Sequence, residues 1–100
     1  MLKNHTHLHH RKELALIDEK IITLVHQRNT ISGEIGKIKF EGKTKIKQPE
    51  IWNAHSQIRN SKIQRLKLDQ KMIGKIFKSI HKESIKIQKK VFKDLKKNEK

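Results

Sequence analysis

Residues 11–42 read Arg11-Lys-Glu-Leu-Ala-Leu-Ile-Asp-Glu-Lys-Ile-Ile-Thr-Leu-Val-His-Gln-Arg28-Asn-Thr-Ile-Ser-Gly-Glu-Ile-Gly-Lys-Ile-Lys39-Phe-Glu-Gly42. Within this stretch Leu14, Ile17, Ile21, Leu24, Ile31, Ile35 and Ile38 follow one another in alternating steps of three and four, with position 28 as the only gap. That spacing is a helical seam near 3.5 residues per repeat, not the alternation of a strand. No proline interrupts it, Gly33 and Gly36 are its only weak helix formers, and Gly42 offers a C-terminal stop. The expectation is one helix from about residue 9 to residue 40, spanning about 45 Å. A compact chain of this length has a radius of gyration of only about 13 Å. The remaining residues cannot cover so long an apolar stripe, so the geometry calls for a second copy packed alongside.

Beyond the seam, residues 41–48 form a polar loop, and Pro49 suits the first turn of a second helix over about 49–65. Its weaker apolar face is Ile51, Trp52, His55, Ile58 and Ile63. Leu66-Lys67-Leu68 is a connection, and Asp69 is a good N-cap for a third helix, without a capping box because position 72 is Met. The third helix carries Ile73, Phe77, Ile80, Ile87, Val91 and Leu95 at seam spacing, with Ser84 in its gap. The fold class is all-α: three helices per chain, intertwined as a homodimer. The organisation is a flexible His-rich N-terminus (1–8), a helical domain (9–95) and a basic tail (96–100).

Composition limits the function. The 100 residues hold 25 Lys+Arg against 10 Asp+Glu, a net charge of +15, with no Cys and 33% hydrophobic residues. Disulfides and Cys-based zinc sites are excluded. No apolar run is long enough to cross a membrane, and the N-terminal residues lack the apolar stretch of a signal peptide, so a cytoplasmic setting is expected. The charge is lopsided: residues 51–100 carry 15 Lys+Arg and 4 Asp+Glu. A basic stripe is the footprint of nucleic-acid binding, but no helix-turn-helix pattern and no aromatic platform for bases accompanies it. A solvated basic face that steers small anions accounts for it more simply. His5, His7, His9 and His10 form a His-rich tract of the kind that picks up metal adventitiously; His26, His55 and His81 show no ligand spacing.

The informative residues are polar ones on or beside the seams. Arg28 stands where an apolar residue is due and Arg11 lies one step before Leu14. Ser84 fills the third helix's gap, Gln88 lies one turn beyond it, and Lys39 flanks the end of the first seam. A single polar residue in a seam can simply fix register, and Arg11 and Lys39 can snorkel into water from near the helix ends. Two buried guanidiniums with no acid on the stripe instead suggest a pocket for an anionic ligand, since arginine is the residue best suited to gripping a carboxylate.

At these residues the sequence resembles a known family, the small all-helical (type II) chorismate mutases. The resemblance covers about residues 9–92. It is carried by Arg11-Lys-Glu-Leu-Ala-Leu-Ile-Asp-Glu-Lys-Ile-Ile, Arg28, Gly36-Lys-Ile-Lys39 and Ile76-Phe-Lys-Ser-Ile-His-Lys-Glu-Ser84-Ile-Lys-Ile-Gln88, with no gaps between the pieces. It implies an intertwined homodimer that rearranges chorismate to prephenate in aromatic amino-acid biosynthesis, with no cofactor or metal and no covalent intermediate. Such a site holds a dianion in a compact conformer and stabilises negative charge developing on its ether oxygen. By the resemblance, Arg28 grips a carboxylate and Arg11 does so from the partner chain. Lys39 and Gln88 donate to the ether oxygen, and Ser84 assists near the ring carboxylate. The family's Asp-Pro-x-Arg-Glu is here Gln48-Pro49-Glu50-Ile51-Trp52. Ile51 thus replaces an arginine that helps neutralise the substrate, and Trp52 a glutamate that bonds the ring hydroxyl. Gln48 retains a backbone carbonyl or amide for that hydroxyl, and Lys45 and Lys47 are the loop cations available near it. A lost charged contact of this type costs about 1.5–3 kcal/mol, roughly tenfold to a hundredfold in rate. Isochorismate-pyruvate lyase on the same fold and a non-catalytic basic binding protein are the alternative readings.

Overall fold

The computed structural model describes the backbone of residues 2–99 and the surroundings of residues 7–99; His5 of the His-rich tract lies outside the latter. Three helices follow in order: α1 (Leu2–Glu41), α2 (Pro49–Arg65) and α3 (Gln70–Asn98). The all-α expectation holds, as do the starts at Pro49 and after Asp69. The Asp69 carboxylate caps α3, accepting from the backbone N–H of Lys71 (2.9 Å) and Met72 (3.2 Å). Two helices run further than expected. α1 reaches back past residue 9 to Leu2, and α3 continues past residue 95 to Asn98. No glycine or proline in either extension stops propagation.

Both helix ends preceding a turn close in the same way. Lys43 N–H bonds the Phe40 carbonyl and Thr44 N–H that of Lys39, while Lys67 N–H bonds Gln64 and Leu68 N–H bonds Ile63. This is the Schellman pattern. Its left-handed position is held by lysine each time, with φ of 55° at Lys43 and 56° at Lys67. Gly42, read from sequence as the stop, is the residue before that position; it has no positive φ.

α1 and α3 lie side by side and parallel. The register is set by Ser32 on Ser84, Gly36 on Gln88 and Phe40 on Phe92, whose rings meet edge to face at 5.3 Å. Gly36 permits the approach, because a Cβ there would stand 3.2 Å from Gln88 Cα and 3.3 Å from Val91 Cβ. α2 returns antiparallel and packs on the first half of α3, with Trp52 beside His81 and Arg59 over Phe77.

The α1 face that meets α3 is not the apolar seam. It is Val25, Asn29, Ser32, Gly33, Gly36, Lys39 and Phe40, offset from the seam by one residue, or about 100°. The seam itself is bare: Leu14, Ile17, Ile21, Leu24, Ile31, Ile35 and Ile38 are all exposed. Arg11 and Arg28, read from sequence as buried guanidiniums, are exposed for the same reason. In α2 the inward face is Trp52, Ser56, Arg59 and Ile63, whereas Ile51, His55 and Ile58 point outward. The α3 seam, by contrast, is turned inward along its length.

The chain is accordingly extended, with principal extents of 68 × 28 × 15 Å and a radius of gyration of 18.5 Å. It exposes 9091 Å², where a compact protein of its mass exposes about 5,900 Å². Ile63 is the one buried apolar side chain among the described residues; Ser32 and Gln88 are the buried polar ones.

Candidate active site

The buried polar residues belong to a single chain of hydrogen bonds between α1 and α3. Lys39 Nζ donates to Gln88 Oε1 at 2.9 Å, Gln88 Nε2 donates to Ser84 Oγ at 3.2 Å, and Ser84 Oγ meets Ser32 Oγ at 2.7 Å. Lys39 Nζ also donates to the Ile46 carbonyl at 2.6 Å, which ties the 42–48 loop to the site. An ammonium has three N–H donors and a primary amide two. One N–H of Lys39 and one of Gln88 are therefore uncommitted among the described residues, within the same hydrogen-bonded chain. Partial burial lowers the Lys39 pKa below its usual range, the desolvation that strengthens an ammonium's pull on a ligand.

Lys39, Ser84 and Gln88, which the sequence singled out, are thus brought together, with Ser32 as a member the sequence reading passed over. Arg28 lies one helical turn before Ser32, and the parallel register sets it level with Ile80 on α3. Arg11 is not brought in: about 42 Å of helix axis separates it from Lys39 in the same chain. The Gln48 carbonyl already accepts from Ile51 N–H (3.1 Å) and Trp52 N–H (3.2 Å), so it caps α2 and only the amide stays open to a ligand. Ile51 is 45% exposed.

Trp52 points inward and stacks on His81, with ring centroids 4.2 Å apart. Together with Lys47, Ile85 and Lys89 these rings line an open groove of about 730 Å³. His81, Ser84, Ile85 and Gln88 form one stripe of α3, so the groove borders the hydrogen-bonded chain. Lys47 faces it; Lys45 turns instead toward Phe40 and Phe92. The His81 pKa is pushed down by burial first, then by the charges of Arg59, Lys39, Arg28 and Lys47. Cations from α1, α2 and the loop therefore converge on one place. The only acid–base pair among the described residues is His9–Glu13 (2.6 Å), near the other end of α1.

A region rich in cations and amide donors suits a reaction in which charge moves within a bound anion. The family model described as chorismate mutase type II matches residues 10–89. The chain belongs to the type II chorismate mutase family. No match was found among curated proteins or among solved structures. The type II chorismate mutase domain thus takes in all of α2, most of α1 and α3 up to one residue past Gln88. Among the described residues no cluster of His, Asp or Glu could hold a metal, and no helix is long and apolar enough to cross a membrane.

Proposed function

We propose that the protein is a chorismate mutase, converting chorismate to prephenate in a site shared between two copies of the chain. The observation that carries this reading is the Lys39–Gln88 pair: an ammonium hydrogen-bonded to a side-chain amide, each with one N–H uncommitted among the described residues, held by Ser84, Ser32 and the Ile46 carbonyl. The rearrangement breaks one carbon–oxygen bond as it forms one carbon–carbon bond, and no atom of the protein bonds to the substrate. Negative charge gathers on the ether oxygen in the transition state. Two fixed donors aimed at that oxygen stabilise the charge without reorganising. Arg28 holds a carboxylate and so selects the folded substrate conformer, in which the two reacting carbons are close. Ser84 supports the ring carboxylate and orients the Gln88 amide.

The bare α1 seam supports the second copy. Seven exposed Leu and Ile side chains in register are a helix-pairing surface. Two seams packed on each other also resolve the position of Arg11, whose guanidinium then reaches the partner's site and supplies a second cation for the dianion. Aromatic amino-acid biosynthesis in the cytoplasm is the setting that goes with this activity.

Ile51 and Trp52, in place of a charged pair, favour one further reading: elimination of pyruvate from isochorismate by the same fold with similar cations. Product analysis separates the two. Purified protein is incubated with chorismate and, separately, with isochorismate. Prephenate formed well above the uncatalysed rate supports the mutase. Pyruvate from isochorismate, with chorismate unchanged, would replace the mutase by the lyase.

A further inference from the structure

The departures at 51 and 52 leave the site short of one cation on the α2 side, and α2 carries another. Trp52, Ser56, Arg59 and Ile63 share its inward face. The Arg59 guanidinium carbon lies 4.7 Å from the Trp52 ring centroid and 4.5 Å from that of Phe77. Nη2 donates to Ser56 Oγ at 3.0 Å. A guanidinium has five N–H donors, and no carboxylate pairs with this one among the described residues. Two aromatic faces attract the cation while leaving its in-plane donors free. They also fix its plane, so little side-chain freedom is left to lose on binding an anion.

The position matters as much as the environment. Phe77 is one turn before His81 on the α3 stripe that continues to Ser84 and Gln88. The register places Arg28 of α1 level with Ile80, between them. Two arginines from different helices thus approach one level of the site, and Arg28 is the charge that opposes Arg59 ionisation after burial itself. An anion bound at that level would be attracted by both guanidiniums at once.

We propose that Arg59 is a substrate-binding residue: held between Trp52 and Phe77, it meets a carboxylate of the bound dianion together with Arg28 and takes over the neutralising role that Ile51 cannot perform. Trp52 then has a positive role as the platform for that arginine. This assignment rests on the chorismate reading above. A merely structural Arg59 would matter for packing alone, and an apolar chain of similar length would serve equally well.

The test is chorismate kinetics on three homodimeric proteins, wild type, Arg59→Met and Arg59→Lys, with calorimetric binding of chorismate and thermal melts in parallel. Arg59→Met keeps the stem between the rings and removes the charge. The expected result is a KM or Kd for chorismate raised roughly tenfold to a hundredfold, with the melting curve retained and Arg59→Lys recovering part of the loss. Should Arg59→Met fail to fold, Arg59→Lys decides: a lysine lacks the paired in-plane donors, so its KM must still rise several-fold. Wild-type turnover with an unchanged KM in the folded variants would overturn the Arg59 assignment and leave the mutase reading standing. A wild-type protein that neither binds nor converts chorismate would overturn both.

Discussion

Replacing Leu24 by aspartate puts a carboxylate at the middle of the bare α1 seam. Leu24 is 58% exposed in the single chain, and complete burial of a leucine is worth about 1.5–3 kcal/mol. The part still exposed therefore represents about 1–2 kcal/mol per chain, and a two-fold interface counts it twice. Burying two unpaired carboxylates adds several kcal/mol more. A weakening of at least about 4 kcal/mol follows, about a thousandfold in the dissociation constant. Sedimentation equilibrium over a concentration series, with circular dichroism melts, reads this directly. The wild type is expected at twice its chain mass of 11.9 kDa, with Tm rising with concentration. Leu24→Asp is expected to dissociate and to lose helix as it does so, because Ile63 is the one buried apolar side chain the described residues provide. Leu24→Met is expected to behave as wild type. A Leu24→Asp protein that sediments and melts like the wild type would refute the reasoning that a second copy covers this face.

Three smaller perturbations follow from local geometry. Gly36→Ala brings a Cβ to 3.2 Å from Gln88 Cα and 3.3 Å from Gln88 Cγ, closer than ordinary carbon contacts of about 3.5–4.0 Å. The helix-propensity gain of about 1 kcal/mol offsets the strain in stability, but Gln88 moves against Lys39, so kcat/KM for chorismate should fall about tenfold with Tm little changed. Lys67→Gly relieves a left-handed residue (φ 56°) and should raise the unfolding free energy in urea by about 0.5–1 kcal/mol, while Lys67→Ala should not. For His81, the folded pKa lies below the usual 6.5 through burial and the neighbouring Arg59, Lys39, Arg28 and Lys47. The unfolded chain then binds the proton more readily, so stability is fully present above about pH 6.5 and is lost as pH falls through the folded pKa. Urea titrations from pH 7.5 to 5 should show that slope in the wild type and a shallower one in His81→Leu.

Much of the fold was legible because α2 and α3 carry their own start signals. Pro49 and Asp69 mark starts, and the α3 seam is the face that packs. The faces of α1 and α2 were harder to read. The α1 surface that meets α3 is built from Ser32, Gly33 and Gly36, small residues that allow close approach and leave no hydrophobic signal. The conspicuous stripe one residue away is the one the chain leaves uncovered. In α2, the sequence reading grouped Ile51, Trp52, His55, Ile58 and Ile63 on one face, whereas only Trp52 and Ile63 of these turn inward, with Ser56 and Arg59 between them. Arg59 was hidden by that choice, although its spacing of seven from Trp52 and four from Ile63 would have placed it. Lysine at the left-handed turn positions 43 and 67 carries no sequence signal, since glycine is the residue expected there. Lys39, Ser84 and Gln88 were legible as polar interruptions of apolar seams, and the structure adds that Ser32 and the Ile46 carbonyl complete their hydrogen bonding.

The central claim is a chorismate-converting site that draws Lys39 and Gln88 from one chain and Arg11 from another. Arg11→Ala and Lys39→Ala proteins should each be nearly inactive alone. Unfolded together in equal amounts and refolded, they should regain about a quarter of wild-type chorismate turnover, because half of the dimers are mixed and each mixed dimer has one intact site of two. A refolded mixture no more active than its separate components would contradict the shared site, as would an Arg11→Ala protein that turns over chorismate like the wild type.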